Sequence, residues 1–136
     1  MFTDAEIAYM ADQPLGRLAT AQPGGMLQVS PVGYSYNADE KAIDVTGHNL
    51  AKSKKFRNVA ANGRVAFVID DLPSMNPWRV RCLEIRGHAE ALTGVNEADR
   101  HLDGAVIRIH PERIIALGVE DWDREPLELE ANIRNV

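Results

Sequence analysis

Thr46-Gly47-His48-Asn49-Leu50-Ala51-Lys52-Ser53-Lys54-Lys55-Phe56-Arg57-Asn58 leads through Val59–Asn62 into Gly63-Arg64-Val65-Ala66. The stretch leaves a strand, turns at a glycine, runs along a helix and enters another strand. The spacing predicts a helix at about Ala51–Ala61, with Phe56, Val59 and Ala60 at i, i+3 and i+4 as its buried stripe. Asn62-Gly63 reads as its C-terminal stop. Four of the six residues from Lys52 to Arg57 are basic. Cations near a helix N-terminus oppose the macrodipole, at about 0.3–1 kcal/mol each. A bound phosphate or carboxylate reverses that sign, because free N–H groups, dipole and lysines then all attract it. Two readings stand: a solvated lysine face, or an anion site.

Outward from this stretch, short strands joined by turns dominate. Thr3–Gln13 reads as a helix capped by Thr3, with Glu6 completing a capping box, and Pro14 ends it. Leu15–Thr20, Met26–Tyr36 and Ala42–Thr46 form a meander around Pro23-Gly24-Gly25 and Asn37–Lys41. In the second of these, Leu27, Val29 and Pro31 share one side, and Gln28, Ser30, Val32 and Tyr34 the other. Arg64–Asp70 is near-continuously apolar, which predicts burial on both faces. Asp71–Arg81, with two prolines and Trp78, reads as a loop. In Cys82–Leu92, Leu83, Ile85, Ala89 and Ala91 oppose Glu84, Arg86, His88 and Glu90, the latter a candidate cross-strand ion-pair ladder. Asn96–Leu102 reads as a short helix, and Ala105–Ile109 and Ile114–Val119 as closing strands around a His110-Pro111 turn. The pattern predicts a mostly β chain: a six- to seven-stranded antiparallel barrel with two or three short helices.

The 136 residues fit one domain, 1–136, with an acidic and weakly patterned tail from about 121 that reads as a mobile segment or one lying across a partner. The net charge of −5 argues against a general nucleic-acid binder, and a concentrated basic patch on such a chain favours a specific anionic ligand. No apolar run is long enough to cross a membrane. Met1-Phe2-Thr3-Asp4 does not open a signal peptide, and the single Cys82 cannot form an internal disulfide; both point to the cytoplasm. His48, His88, His101 and His110 match no metal-ligand spacing, so no metal is expected.

The order of these segments resembles the pyridoxamine 5′-phosphate oxidase-like split β-barrel family. Ser53-Lys54-Lys55 is similar to the Ser-Arg-Lys triplet that opens the family's helix, with Lys54 in the arginine's place. Asn62-Gly63-Arg64-Val65 resembles its Asn-Pro-Arg-Val turn, with Gly63 for proline. Gln28-Val29-Ser30-Pro31-Val32 resembles the strand along the cofactor ring. Pro77-Trp78-Arg79-Val80-Arg81-Cys82-Leu83-Glu84-Ile85-Arg86-Gly87-His88-Ala89-Glu90 and Ile107-Arg108-Ile109-His110-Pro111 resemble segments of the short, deazaflavin-dependent branch. The resemblance covers residues from about 5 to 120.

It implies a split barrel, a homodimer, and a cofactor groove between subunits. Lys54 and Lys55, helped by Ser53, would hold the cofactor's phosphate. Thr46, Gly47 and Asn49 would approach the phosphate or ribityl chain, and Gln28, Ser30 and Pro31 would line the ring. Trp78, Arg79 and Arg81 would come from the other subunit. The C-terminal substrate segment of the pyridoxamine-phosphate oxidases is missing. The compact length and Trp-Arg segment favour coenzyme F420, a deazaflavin, over flavin mononucleotide (FMN). The implied activity is hydride transfer to a small electrophilic substrate. The alternatives are an FMN-dependent oxidoreductase and a non-catalytic flavin- or tetrapyrrole-binding protein.

Overall fold

Local signals at the chain's start are realised as written. In the computed structural model, which describes residues 1–96, 103–121 and 123–136, helix α1 spans Asp4–Asp12. Thr3 caps it: the Glu6 N–H donates to Thr3 Oγ1 at 3.1 Å, and the Thr3 N–H to Glu6 Oε1 at 3.0 Å. Tyr34 pins its far end, donating its hydroxyl to the Met10 carbonyl at 2.9 Å. Burial pushes that phenol up to about 12.

Seven strands follow: β1 (Leu15–Ala21), β2 (Leu27–Asn37), β3 (Ala42–Thr46), β4 (Arg64–Met75), β5 (Trp78–Asn96), β6 (Gly104–Leu117) and β7 (Asn132–Asn135). All pair antiparallel in the order β3-β2-β1-β4-β5-β6-β7, and a further β3–β6 pairing closes β1–β6 into a barrel. Strand β6 serves two neighbours: Ile107–Ile109 meet β3, and Arg113–Ala116 meet β7. The barrel is therefore split, and its core is a single apolar cluster. Leu18, Ile43, Val45, Phe67, Ile69, Leu83, Ile85, Ile107, Ile109 and Ile114 are each at most 1% exposed. Burying such a side chain contributes roughly 1.5–3 kcal/mol relative to leaving it exposed. Packing is tight enough that a Cβ on Gly16 would fall 2.2 Å from the Phe67 ring.

Several expectations are corrected. Asp71–Arg81 is no loop but the end of a β4–β5 hairpin turning at Asn76-Pro77; Pro73 is tolerated because the register shifts between Asp71 and Ser74. His110-Pro111 is no turn either. β6 runs through it, and Pro111, which has no N–H, sits opposite Gly87 at a bulge. A Cβ on Gly87 would lie 2.1 Å from the His110 carbonyl oxygen, so this bulge requires glycine. β4 is buried on one face rather than two: Val65, Phe67 and Ile69 are buried, while Ala66 and Val68 are half-buried. Asn96 ends β5, and the remainder of the expected helix, residues 97–102, lies outside the described residues. The acidic segment from about 121 returns to the sheet as β7. There Arg134 pairs with the buried Glu6 and donates to the Met1 carbonyl at 2.7 Å. Among the described residues no helix is long and apolar enough to cross a membrane.

Candidate cofactor site

Strand β2 pairs with β1 from Leu27 to Gly33, but with β3 only from Gly33 to Asn37. Its first half thus keeps one edge free of strand partners among the described residues. The reason is that β3 stops at Thr46, opposite Gly33, and the chain turns away through Gly47, His48 and Asn49. Asn49 takes the left-handed conformation at φ 59°, which asparagine tolerates. Leu50, 2% exposed, anchors a 3₁₀ turn over Leu50–Lys52.

The helix expected at Ala51–Ala61 starts later, as α2 over Lys54–Asn62, because Ser53 caps it. Ser53 Oγ accepts from the Phe56 N–H at 3.3 Å and donates to the Leu50 carbonyl at 2.6 Å. Gly63, at φ 70°, ends the helix by donating to the Val59 carbonyl at 2.8 Å. Its buried residues are Val59 and Asn58; Ala60 is exposed. Asn58 ties α2 to the sheet, donating to Thr20 Oγ1 at 3.0 Å and Gln28 Oε1 at 3.4 Å.

Lys54 and Lys55 precede Asn58 by four and three residues and so share its helix face. The Asn58–Gln28 hydrogen bond sets α2, with Ser53, Lys54 and Lys55 at its start, beside the face of β2 that carries Gln28 and Ser30, and Thr46, before Gly47 and Asn49, pairs with Gly33 of the same strand; Pro31 lies on the opposite, outward face with Val29. Neither lysine has a carboxylate within ion-pair distance among the described residues. Ser30 Oγ is buried with no hydrogen-bond partner among the described residues. An open strand edge, an unpartnered hydroxyl and two uncompensated lysines at a helix start fit a ligand with a polar ring edge and a phosphate. The sequence reading missed Asn58, whose polarity concealed its burial, and Asp103. The Asp103 carboxylate accepts the Ala51 N–H at 2.9 Å, which holds it below the usual carboxylate range.

Trp78, Arg79 and Arg81 do not join this group within one chain. They begin β5, with Trp78 eleven residues and Arg81 eight before Ala89, which meets Gly63 at the end of α2. At ~3.3 Å per residue that is roughly 26–36 Å along the strand. Trp78 is 60% exposed at the hairpin tip, and Arg79 donates to the Arg124 carbonyl. Arg81 is engaged: it holds Asp71 through two hydrogen bonds of 2.8 and 2.6 Å and lies 5.0 Å from the centre of the Tyr9 ring. Tyr9 donates its hydroxyl to Asp71 at 2.7 Å. The Arg81 hydrogen bonds hold the Asp71 carboxyl below its ordinary range, and burial with the Asp71 hydrogen bond pushes the Tyr9 phenol up.

The other candidates have structural partners. His88 Nδ1 lies 3.0 Å from Glu112, and His110 Nε2 lies 2.7 Å from Glu90, their rings stacked at 5.0 Å. The expected cross-strand ladder is therefore partly a within-strand pair, because Arg86 binds Glu84 two residues away at 2.7 Å. No group that could hold a metal occurs among the described residues, and His101 lies outside them. His48 is an exposed turn residue. Burial, with Glu84 and Asp70 nearby, pushes the Cys82 thiol up, the opposite of what a nucleophile needs. An open cavity of about 860 Å³ lies next to this region, lined among others by Thr20, Leu27, Arg64 and Ala66.

A six-strand antiparallel barrel, with a cationic helix start beside the unpaired half of β2, defines a split-barrel protein. The chain belongs to the pyridoxamine 5′-phosphate oxidase family, whose model matches residues 2–123. It is 45% identical over 120 residues to a 5a,11a-dehydrotetracycline/5a,11a-dehydrooxytetracycline reductase of Streptomyces rimosus, covering 88% of this chain and 84% of that one. An F420 reductase structure matches at TM-score 0.57 and 24% identity, over 76% of this chain and 90% of that one. A haem-binding protein of Mycobacterium smegmatis matches at TM-score 0.68 and 18% identity; the match spans 99% of this chain but 59% of that one. These two structures establish likeness of fold alone.

Proposed function

We propose that the protein is an F420-dependent reductase that works as a homodimer in the cytoplasm. Its acceptor class is a conjugated polycyclic compound of the kind named for the Streptomyces relative. An oxidoreductase is what the family and that reductase support. The observation that carries the cofactor reading is the pair of uncompensated lysines, Lys54 and Lys55, opening a helix beside the free edge of β2.

When bound, the reduced deazaflavin supplies a hydride. The chain's residues do the rest. Lys54, Lys55 and the first N–H groups of α2 hold the phosphate. Thr46, Gly47 and Asn49 shape the turn between ring and phosphate. Gln28 and Ser30, with the unpaired backbone of β2, offer hydrogen bonds along the ring edge. Pro31 supplies an apolar wall. Water is excluded by a second copy. Leu27 and Val29 are 74% and 68% exposed, and register aligns Val29 with Ala19 and Ala66, and Pro31 with Arg17 and Val68. That outward apolar face across three strands is the proposed subunit contact. Trp78 and Arg79 are the partner-contributed candidates; Arg81 is committed to Asp71.

Titrating ligand-free protein with F420 and, in parallel, FMN tests the reading by fluorescence. Lys54→Ala with Lys55→Ala should weaken F420 binding about 10- to 100-fold, at roughly one to two factors of ten for two charge-assisted contacts. FMN preference would move the protein to flavin chemistry. Binding of neither, or an unchanged affinity in the variant, would remove the phosphate site.

A further inference from the structure

Three polar side chains meet where α2 lies against β1 and β2. Register places Thr20 directly opposite Gln28, on the face of the two strands that also carries the buried Leu18. Asn58 reaches both from α2; it is 4% exposed and Thr20 is 2% exposed. Apolar side chains could fill such a place without any polar group to satisfy, whereas a buried amide must be hydrogen-bonded. Asn58 Nδ2 has two hydrogens and donates to Thr20 Oγ1 at 3.0 Å and Gln28 Oε1 at 3.4 Å. The helix has other fastenings. Val59 is buried, Asn62 Nδ2 donates to the Ala21 carbonyl at 2.7 Å, and the Ala89 N–H donates to the Gly63 carbonyl at 2.8 Å. What Asn58 alone decides is the orientation of Gln28. A glutamine amide has an acceptor at one end and two donors at the other. With Oε1 held by Asn58, Nε2 is the end left for a ligand, and it has no acceptor among the described residues. Gln28 lies on the half of β2 that β3 does not reach, two residues before the unpartnered Ser30 hydroxyl.

We infer that Asn58 is a positioning residue for the cofactor ring: it holds Gln28 so that the Nε2 donors serve a ring carbonyl at the open edge of β2. The inference rests on the reading of β2 as the ring-binding strand. Asn58 touches no cofactor itself and acts through Gln28. Carbonyls are common to flavin and deazaflavin rings, so the role is the same for either cofactor. Lys54 and Lys55 act on the phosphate, and Asn58 acts on the ring.

The test titrates F420, and its phosphate-free fragment of deazaflavin ring and ribityl chain, into ligand-free protein by fluorescence. Asn58→Ala should weaken both ligands by the same factor, about three- to tenfold, the scale of one neutral hydrogen bond. In a Gln28→Ala background the same substitution should cost less than about twofold, because the group it positions is gone. Gln28→Glu, at a half-buried position, keeps the bond from Asn58 but has no donor to offer, and should weaken the fragment as much as Gln28→Ala does. A larger loss for F420 than for the fragment, or an equal loss in both backgrounds, would mean that α2 merely loosens, and overturns the inference. A second readout needs no ligand. Nitrogen-15 relaxation should show the Gln28 side-chain amide rigid in the original protein and mobile in Asn58→Ala. Equal mobility in the two proteins overturns the inference whatever binds. If neither F420 nor FMN binds while the amide loosens only in the variant, the hold of Asn58 on Gln28 stands and the cofactor reading falls.

Discussion

Asp71→Asn separates a structural arginine from a ligand-binding one. The substitution keeps the shape of the side chain but takes from Arg81 the carboxylate that receives two hydrogen bonds of 2.8 and 2.6 Å. Hydrogen bonds to charged groups contribute about 1.5–3 kcal/mol when sheltered. Both side chains are about one-quarter exposed, at 24% and 25%, so screening reduces this to about 1–2 kcal/mol. Tyr9 loses little, since its hydroxyl also lies 3.3 Å from the Arg81 carbonyl. With an unfolding entropy of about 2.1 cal/mol/K per residue, the melting temperature should fall by about 4–7 °C.

The sign with pH follows from the lowered Asp71 carboxyl. Its contribution is complete above the unfolded value, about 3.9, and fades as pH drops toward the depressed folded value. Urea unfolding of both proteins at pH 7, 4 and 3 should therefore show a gap that narrows with acid. F420 affinity should not change. A gap of the same size at pH 7 and pH 3 would refute the ion-pair account, and a weakened F420 affinity would return Arg81 to the cofactor site.

Asn58→Ala should destabilise the protein by about 1–2 kcal/mol, by leaving Thr20 without its buried donor. Amide exchange would show this as earlier loss of protection in α2. Gly16→Ala drives a methyl into the Phe67 ring, and urea unfolding should record a loss of about 1–3 kcal/mol. Val29→Asp, at an exposed position, should leave the circular dichroism spectrum intact while sedimentation shows monomers; a persisting dimer would place the subunit contact elsewhere.

What the sequence made legible was local. The capping box at Thr3 and Glu6, the glycine stop at Gly63 and the alternation in β5 each depend on neighbours within a few residues, and each appears in the structure. The nine candidate cofactor residues between Gln28 and Lys55 were chosen from one meander and one helix, and their role stays a proposal. Features set by long-range register were not. Pro111 looked like a turn because the bulge that accommodates it is built by Gly87 on another strand. Asn58 drew no reading because its partners, Thr20 and Gln28, lie thirty or more residues away.

The double service of β6 has a kinetic consequence. β4, β5 and β6 are joined as successive hairpins, whereas β3 reaches β6 across more than sixty residues of chain, as Asp44 to Arg108 shows. Closing so long a loop is the slower event. The β3–β6 seam, held by three paired positions and the Asp44–Arg108 ion pair at 2.8 Å, is then the last part of the barrel to zip and the first to breathe. Thr46 and the turn after it hang on that seam. Partial opening there would loosen the cofactor region while the hairpins stay intact, and exchange of the Val45 amide would outpace that of Ile85.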